Sequence, residues 1–486
     1  MARFFSALPL PALCTFLSLQ AQQTFEPIKV GSVVFSGNVR TRIENWTWFT
    51  PGSGDPKYTY DGSTIRFGIS QKRNLFDWAL ELEAPVLLHL PTNSVAPGAQ
   101  GQLGQGASYY IANSKQANVA MLFPKQAFIR RKLFNTTSTT LRVGRFEFQD
   151  GGEVVAKDPT IAVIKRDRIQ QRLLGPFTFA HVMRSFDGFH LVYNKPKINY
   201  TVIGAAPTRG VFQVDGWGWI KTAFGYGAIT GQLPGKTTTA EWRVFAICYD
   251  DWRRITKADN RSAALRAGDL ANIRIGTYGA HYVQATKTSA GTVDLMAEFA
   301  LQNGSWGALQ QRAGMFDVEA GFQPKILPEL SPWIRAGYYR GSGDKDPNDT
   351  KHGTFFQILP TARPYARFPF FDMMNNLDRF GMLTLKPHKR VVFKSEVHSL
   401  RLTSRNDLWY AGGGAYQPWT FGYQSRSGAG SESLANLYDA SVDVTVSPHF
   451  SVTPYYGYAA GKAVIQAIYP KGKVAHLGFL ELNYRF

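Results

Sequence analysis

The sequence has few cysteines and no long apolar run beyond its N-terminus. It contains two cysteines in 486 residues, Cys14 and Cys248, and Cys14 lies in an N-terminal stretch of signal-peptide type. Removal of that stretch would leave one cysteine, which excludes an internal disulfide and a thiolate metal site. No other segment approaches the roughly 18 apolar residues that a membrane-spanning helix needs. Stability must therefore come from packing or from closure of a sheet.

Motifs of common enzyme and metal sites are also missing. There is no G-x-S-x-G elbow and no H-E-x-x-H helix, and the nine histidines are scattered. "GDKDPNDT" spaces Asp344, Asp346 and Asn348 like the start of a calcium loop. Asp349 occupies the position where that loop requires glycine, so a plain acidic turn is expected. We therefore predict no catalytic residue, no metal and no cofactor.

The N-terminus predicts export. Arg3 precedes a mostly apolar stretch from Phe4 to Leu19, followed by "QAQQ", which indicates a signal peptide over residues 1–21. Leu13 precedes Cys14, where a lipid-attachment site needs a small residue, so a lipoprotein is not expected. An exported chain without a spanning helix is either soluble in an export compartment or a β-barrel in an outer membrane.

Polarity alternates with period two from residue 38 onward. In "NVRTRIENWTWF", Arg40, Arg42 and Glu44 share one face, and Val39 and Ile43 share the other. "TVDLMAEFALQ" at 292 and "LYDASVDVTV" at 437 repeat this pattern. Strands that are apolar on one face and charged on the other are typical of membrane β-barrels.

The spacing of these segments predicts about eighteen strands. Short links follow every second strand, for example "KPK" at 195 and "KPHKR" at 386, whereas long links span 89–123, 149–187, 341–378 and 402–435. This alternation predicts an all-β fold, a single transmembrane up-and-down antiparallel β-barrel over residues 31–486. Its short turns would be periplasmic and its long loops extracellular. Residues 149–187, with a short helix near Asp158, and residues 91–118 are candidates to plug or constrict the pore, and solvated surface loops are the alternative. A soluble carbohydrate-binding β protein is the alternative, and it would not explain the alternating link lengths.

The last strand, "LGFLELNYRF", also alternates and ends in an aromatic residue. In a closed barrel it would pair with the first strand, and Tyr484 and Phe486 would lie in the periplasmic aromatic girdle. This end resembles the C-terminal signature of bacterial outer-membrane proteins.

Five segments carry a more specific resemblance. "RTRIENWTWF" at 40, "LRVGRFEFQDGGE" at 141, "RSFDGFH" at 184, "GSGDKDPNDTKHGTFFQILPTARPY" at 341 and "DLWYAGGGAY" at 407 together resemble the alginate export family of outer-membrane barrels. The resemblance implies an eighteen-stranded, monomeric barrel with a basic lumen that passes an anionic polysaccharide or another anionic solute. Partners would then be outer-membrane lipid and the solute, with periplasmic export proteins left open.

Charge and strand parity nominate the residues that line the lumen. The formal net charge is +19, and a basic pore concentrates anions. Guanidinium groups suit the carboxylates of acidic sugars because they can bind them through two parallel hydrogen bonds. The predicted solute-binding residues are Arg40, Arg42, Glu44, Arg66, Arg130, Arg142, Arg145, Arg243, Arg274, Arg335 and Lys394. The alternative is that arginine and glutamate side chains pair across a polar interior and serve only its structure.

Inward-facing acids form a second predicted set. They are Glu81, Glu83, Asp294, Glu298, Asp317, Glu319, Asp439 and Asp443. We hypothesise a basic wall from the early strands that faces an acidic arc from the later ones. The sequence thus favours a channel for anionic solutes, with a barrel-embedded enzyme acting on lipid or polysaccharide as the alternative. Binding of nucleic acid is not expected, because the basic residues are spread over the strands of an exported chain.

Overall fold

The computed structural model describes residues 27–134, 136–361 and 367–486, and the predicted signal peptide, residues 1–21, lies outside these ranges. Eighteen long strands form an antiparallel barrel in which each strand pairs with its neighbours in the chain. The strands are β1 (Val33–Thr47), β2 (Lys57–Lys72), β3 (Phe76–Leu88), β4 (Phe123–Lys132), β5 (Thr139–Phe146), β6 (Phe186–Lys195), β7 (Ile198–Pro207), β8 (Thr222–Leu233), β9 (Thr238–Asp251), β10 (Ile273–Lys287), β11 (Gly291–Trp306), β12 (Leu309–Pro324), β13 (Trp333–Gly341), β14 (Asn376–His388), β15 (Val391–Leu402), β16 (Ser433–Thr445), β17 (Phe450–Gly461) and β18 (Val474–Arg485).

The barrel closes between β18 and β1. Their antiparallel register runs from Asn38 opposite Arg485 to Thr47 opposite His476. The backbone of Phe486 also exchanges two hydrogen bonds with Gly37, with N···O distances of 2.8 and 3.0 Å. Because closure leaves no long strand with a free edge, the backbone groups of the wall are paired within the sheet, as lipid requires. The predicted all-β barrel of about eighteen strands is confirmed.

The links alternate in length as the sequence predicts. Short turns follow β2, β4, β6, β8, β10, β12, β14 and β16, and the long links lie at the other end of the barrel. One link at the long-loop end, between β11 and β12, is itself short, and Gly307 there has a φ of 61°, which favours glycine. The short turns are periplasmic and the long loops extracellular.

The outer face of the barrel is apolar. Val39 and Ile43 on β1 and Leu295, Phe299 and Leu301 on β11 are exposed, while the alternating positions are buried. This matches the predicted parity of both strands and presents an apolar surface to lipid. β1 begins at Val33, earlier than the polarity pattern that starts at residue 38 suggested.

Smaller elements lie in the links. Three short strands, Ile28–Val30, Val119–Ala120 and Lys351–His352, extend the sheet to 21 strands, and Leu408–Gly412 pairs with Tyr423–Ser427 in a separate hairpin. The helices are α1 (Gln105–Ala112), α2 (Pro159–Ile164), α3 (Ala263–Gly268) and α4 (Ala463–Ile468), with a 3-10 turn at Gly98–Gln100 and a π-helical turn at Lys165–Ile169. Within the described residues, no helix is long and apolar enough to cross a membrane.

The main apolar cluster fills the extracellular end of the barrel. It joins the strand residues Trp46 and Trp306 to the link residues Phe177, Phe356 and Trp409. Several rings meet edge to face, such as Trp306 and Phe356 at a centroid distance of 5.1 Å. The long loops are therefore packed into the mouth of the barrel and against each other.

Candidate functional site in the barrel lumen

The link between β5 and β6, residues 147–185, crosses the lumen, and we call it the lumen segment. At β1, Arg40 Nη1 donates to the Thr178 carbonyl at 2.8 Å. At β12, Arg168 Nε donates to Glu319 at 2.7 Å. β1 and β12 lie far apart around an eighteen-stranded barrel, so a segment that contacts both must span the pore. The predicted constriction by residues 149–187 is thereby supported by the geometry.

A capped helix organises the lumen segment. Asp158 accepts hydrogen bonds from the backbone N–H groups of Thr160 and Ile161 at 2.9 and 3.1 Å, and Pro159 occupies the first turn of α2. Such a cap satisfies N–H groups that have no partner within the helix. The helix leads into the π-helical turn at Lys165–Ile169, whose Lys165 and Arg168 pair with Glu241 and Glu319 of the wall at 2.5 and 2.7 Å. The short helix predicted near Asp158 is confirmed.

Buried ion pairs hold the lumen segment to β11 and β12. Arg172 lies 2.9 Å from Glu298 and 2.6 Å from Asp317, and Arg168 lies 2.7 Å from Glu319. All five side chains are buried. Removing one partner of such a cluster leaves an uncompensated buried charge, which costs several kcal/mol. Three of the acids predicted to face inward, Glu298, Asp317 and Glu319, therefore bind the lumen segment.

A second contact fixes the C-terminal part of the lumen segment to β1. Arg42 pairs with Glu44 at 2.7 Å and donates to the Phe179 carbonyl at 3.0 Å. Glu44 also lies 2.9 Å from His181 Nε2. The three predicted lumen residues of β1, Arg40, Arg42 and Glu44, thus face inward, and they contact the lumen segment.

Basic and acidic residues are mixed on the early strands. Arg66 lies 2.8 Å from Glu83, 2.9 Å from Glu147 and 3.3 Å from Glu81. Lys125 joins the same cluster at 3.3 Å from Glu147. The hypothesis of a basic wall facing a separate acidic arc is wrong, because carboxylates lie beside the guanidinium groups wherever burial makes an unpaired charge costly.

Most of the other predicted lumen residues also lie beside a carboxylate, and Arg142 lies beside a histidine. Arg142 donates to His190 at 2.8 Å and lies over the Phe146 ring. Four of the rest have a carboxylate partner: Asp77 for Arg130 at 2.6 Å, Glu298 for Arg243 at 3.1 Å, Glu319 for Arg335 at 2.7 Å and Asp167 for Lys394 at 2.9 Å. The prediction for Arg145 is wrong, because Arg145 and its partner Asp187, at 2.7 Å, lie on the same face as exposed Val143 and Phe189.

Arg274 does not face the lumen. Its side chain is 68% exposed and lies 3.3 Å from Asp250 at the extracellular rim. Its neighbours Ile273 and Ile275 are buried, and Tyr278 on the same face is exposed. The parity predicted for β10 was off by one residue, and a one-residue shift moves each side chain to the opposite face.

The turns carry part of the excess positive charge. Exposed basic residues occupy the periplasmic links after β2, β6 and β14, namely Lys72, Arg73, Lys195, Lys197, Lys389 and Arg390. Most lumen arginines are paired with acidic residues. The formal net charge of +19 for the whole chain therefore cannot be assigned to the lumen alone.

Two of the buried arginines have no carboxylate partner within ion-pair distance among the described residues. They are Arg184, at the end of the lumen segment, and Arg426, in the hairpin of the β15–β16 link. Each has Nε and one terminal nitrogen buried without a hydrogen-bond partner. Sequence reasoning did not single out Arg426, because it lies in a loop where strand parity gives no signal.

The acidic turn at 344–348 is closed by its own backbone. Asp344 accepts from the Asp346 N–H at 3.0 Å, and Asp346 accepts from the Asn348 N–H at 3.0 Å. This is a pair of Asx turns. Across the described ranges, no group of three or more His, Cys, Asp or Glu side chains is arranged to hold a metal ion.

We predict a pH-dependent contribution to stability from Asp372, in the link before β14. One of its oxygens accepts from the Met374 N–H at 2.8 Å, and the other is buried without a partner. Burial raises the pKa of this carboxyl to about 8. The folded protein therefore keeps a proton that the unfolded chain releases, so the free energy of unfolding falls as the pH rises from about 4 to about 8.

The variant Asp372→Asn tests this effect. The difference in the free energy of unfolding between the variant and the wild type should increase by up to about 1.4 kcal/mol for each pH unit between about pH 4 and about pH 8. Urea unfolding in lipid vesicles at pH 5 and pH 8 measures the difference. An identical pH dependence for the two proteins would show that Asp372 ionises normally.

Comparison with known proteins identifies the barrel. The model of the family described as alginate export matches residues 101–469. The chain belongs to the alginate export family. No curated protein matches the sequence.

Solved structures share the fold of this family member. OccK9 (OpdG) of Pseudomonas aeruginosa aligns with a TM-score of 0.59 at 10% identity, covering 93% of this chain and 98% of that one. OpdK of the same organism, solved with vanillate, gives 0.54 at 8% identity with coverages of 93% and 98%. OccAB4 of Acinetobacter baumannii gives 0.54 at 9% identity with coverages of 93% and 97%. At such identities the likeness shows the fold alone.

Family and fold together place this protein in the bacterial outer membrane as a channel. The closed wall, the apolar outer face and the charged interior are the features that such a channel requires. They point to transport rather than to an enzyme.

Proposed function

We propose that the protein is a channel that favours anionic solutes, with acidic oligosaccharides or polysaccharides as its cargo. The observation that carries this proposal is the pair of buried arginines without carboxylate partners, Arg184 and Arg426, at the extracellular end of the barrel. An uncompensated guanidinium group in a protein-walled space attracts anions more strongly than the same group in water.

The periplasmic end supports the same preference. Exposed basic residues on the short turns, such as Lys195 and Lys197, surround the other mouth of the barrel. Their field raises the local concentration of anions where a solute enters or leaves. Both ends of the barrel thus favour anions. The lumen segment, which ion pairs hold to the wall, narrows the path between the two ends.

We further propose that the barrel acts as a monomer surrounded by outer-membrane lipid. The closed eighteen-stranded wall contains the whole pathway, so a second copy contributes nothing to it. Periplasmic export partners would bind at the basic turns, where an acidic surface would complement the charge.

Block of single-channel current by oligouronates tests the cargo. In a planar bilayer, oligogalacturonate should interrupt the current, and a neutral galactose oligomer of the same length should not, because only the first carries carboxylates for the arginines. Equal block by both oligomers, or no block by either, would contradict acidic sugars as cargo.

A further inference from the structure

Arginines occupy the outer face of the barrel at the extracellular ends of five neighbouring or nearly neighbouring strands. Each is exposed and directly follows a buried residue, so its side chain points away from the lumen. They lie on β10, β12, β13, β14 and β15 and are Arg274, Arg312, Arg340, Arg379 and Arg401. This sector of the extracellular rim is therefore positively charged on the side that meets the membrane.

Acidic side chains of the same strands lie on the opposite face. Five of them are buried in the lumen, and the sixth, Glu396 on β15, contacts buried His398. The buried five are Asp294, Glu298, Asp317, Glu319 and Asp378. Arg274 and Arg401 pair with Asp250 and Glu432 from outside these strands, at 3.3 and 2.8 Å. Arg340 and Arg379 have no carboxylate within ion-pair distance among the described residues.

The strand register brings three of these arginines together. On β13 and β14, Arg340 lies opposite Leu377, and Arg379 lies opposite Tyr338. Residues in such diagonal positions are about 7–8 Å apart. Leu377 also lies opposite Arg401 of β15. Leu377 thus has Arg340 on one side, Arg401 on the other and Arg379 two residues along its own strand, and an anion placed over it meets three guanidinium groups.

Aromatic residues mark the depth of this group in the membrane. Phe316 of β12 lies opposite Arg340, is 40% exposed and stacks on the Tyr338 ring at a centroid distance of 5.6 Å. The Arg379 guanidinium lies 5.9 Å from the centre of the Tyr338 ring. Further toward the periplasm, exposed Ile334 continues the apolar face. Aromatic side chains of barrels lie at the level of the lipid head groups, so the arginines are placed where head groups begin.

This arrangement needs an anion from the membrane. Like charges on neighbouring positions of a sheet repel one another, and the outer face supplies no carboxylate to Arg340 or Arg379. A phosphate group would supply the counter-charge, because the planar guanidinium fork binds two of its oxygens at once. A lipid phosphate is favoured over a free phosphate ion, because acyl chains attached to it would also cover the apolar face beside Phe316 and Ile334.

We propose that Arg340 and Arg379, flanked by Arg401, bind the phosphorylated head group of an acylated glycolipid in the outer leaflet of the membrane. Its acyl chains lie along the apolar outer face of β12 to β14. This inference goes beyond the proposed function, because the outer face takes no part in the path of the solute. The bound lipid would fix the height and tilt of this side of the barrel in the membrane.

Titration of the folded protein in detergent with diphosphoryl lipid A, followed by native mass spectrometry, tests the proposal. Wild-type protein should retain the lipid, and lipid A from which both phosphates have been removed should bind at least tenfold more weakly. The double variant Arg340→Gln, Arg379→Gln should weaken binding of diphosphoryl lipid A at least tenfold, since it removes two cations at the head-group level. Inorganic phosphate at the concentration of the lipid should not displace it.

Lys57→Gln is the matched control. Lys57 is exposed at the extracellular end of β2, six strands away from β14, and Thr47 lies opposite it. Its substitution removes a rim cation elsewhere and should leave the affinity unchanged. Equal affinity of the wild type for the two lipids would overturn the proposal even if the double variant did not fold. Unchanged affinity in a folded double variant, an equal loss in Lys57→Gln, or displacement by inorganic phosphate would overturn it as well.

Discussion

The double variant Arg168→Gln, Arg172→Gln should conduct several-fold more current per channel than the wild type. These two arginines hold the lumen segment to Glu298, Asp317 and Glu319, at distances of 2.6 to 2.9 Å. Without them Asp317 has no cationic partner within ion-pair distance among the described residues, while Glu298 and Glu319 keep only Arg243 and Arg335. The unpaired charge and its need for water favour displacement of the segment from the wall. Single-channel recording in planar bilayers measures the change in conductance.

The same substitution should also destabilise the protein. Breaking a buried ion pair by removing one partner costs about 3–5 kcal/mol. Because the barrel wall keeps its own hydrogen bonds, we expect the lumen segment to loosen while the strands stay closed. Limited proteolysis should then cut within residues 147–185 of the variant and spare those residues in the wild type.

A matched control separates this effect from simple loss of positive charge. Arg401 pairs with Glu432 at 2.8 Å, and both side chains are largely exposed. Arg401→Gln should leave conductance and proteolysis unchanged, because exposed ion pairs contribute about 0–1 kcal/mol. Wild-type conductance in a folded Arg168→Gln, Arg172→Gln variant would show that the lumen segment does not limit the current.

Deletion of residues 474–486 should prevent formation of the barrel. β18 closes the wall between β17 and β1, with paired residues from Asn38 to Thr47 on the β1 side. Its loss leaves two strand edges whose N–H and C=O groups face lipid, and each unsatisfied group costs several kcal/mol there. Refolding from urea into lipid vesicles, followed by circular dichroism and protease digestion, should show no protected barrel.

Phe486→Ala is the control for the deletion. The hydrogen bonds between residue 486 and Gly37 involve the backbone alone, so they persist in the variant. It should refold in vitro with a small loss of stability. A protected barrel in the deletion protein would contradict closure through β18.

The wall of the barrel could be predicted because each strand repeats a local pattern. Alternation in β1 and β11 assigned their faces, and alternation of short with long links assigned the two ends. These signals depend only on neighbours in sequence. Arg274 shows the limit of this reasoning, since the exact first residue of a strand decides which face its arginine takes.

The interior could be predicted only in part. Parity placed Arg66 and Arg335 inside, but it could not show that each lies beside acids from other strands and links. The pairs of Arg172 with Glu298 and Asp317 join residues that are distant in sequence, and no local pattern encodes them. Arg426 was missed for a related reason, because its environment is assembled from several loops.

The reversal potential of the channel shows whether it favours anions. It is measured in a planar bilayer under a potassium chloride gradient, on the wild type and on the Arg168→Gln, Arg172→Gln variant. We expect for the wild type a reversal potential displaced from zero toward the equilibrium potential of chloride, with larger currents in the variant. A potential at zero, or one displaced toward the equilibrium potential of potassium, would contradict a channel that favours anions.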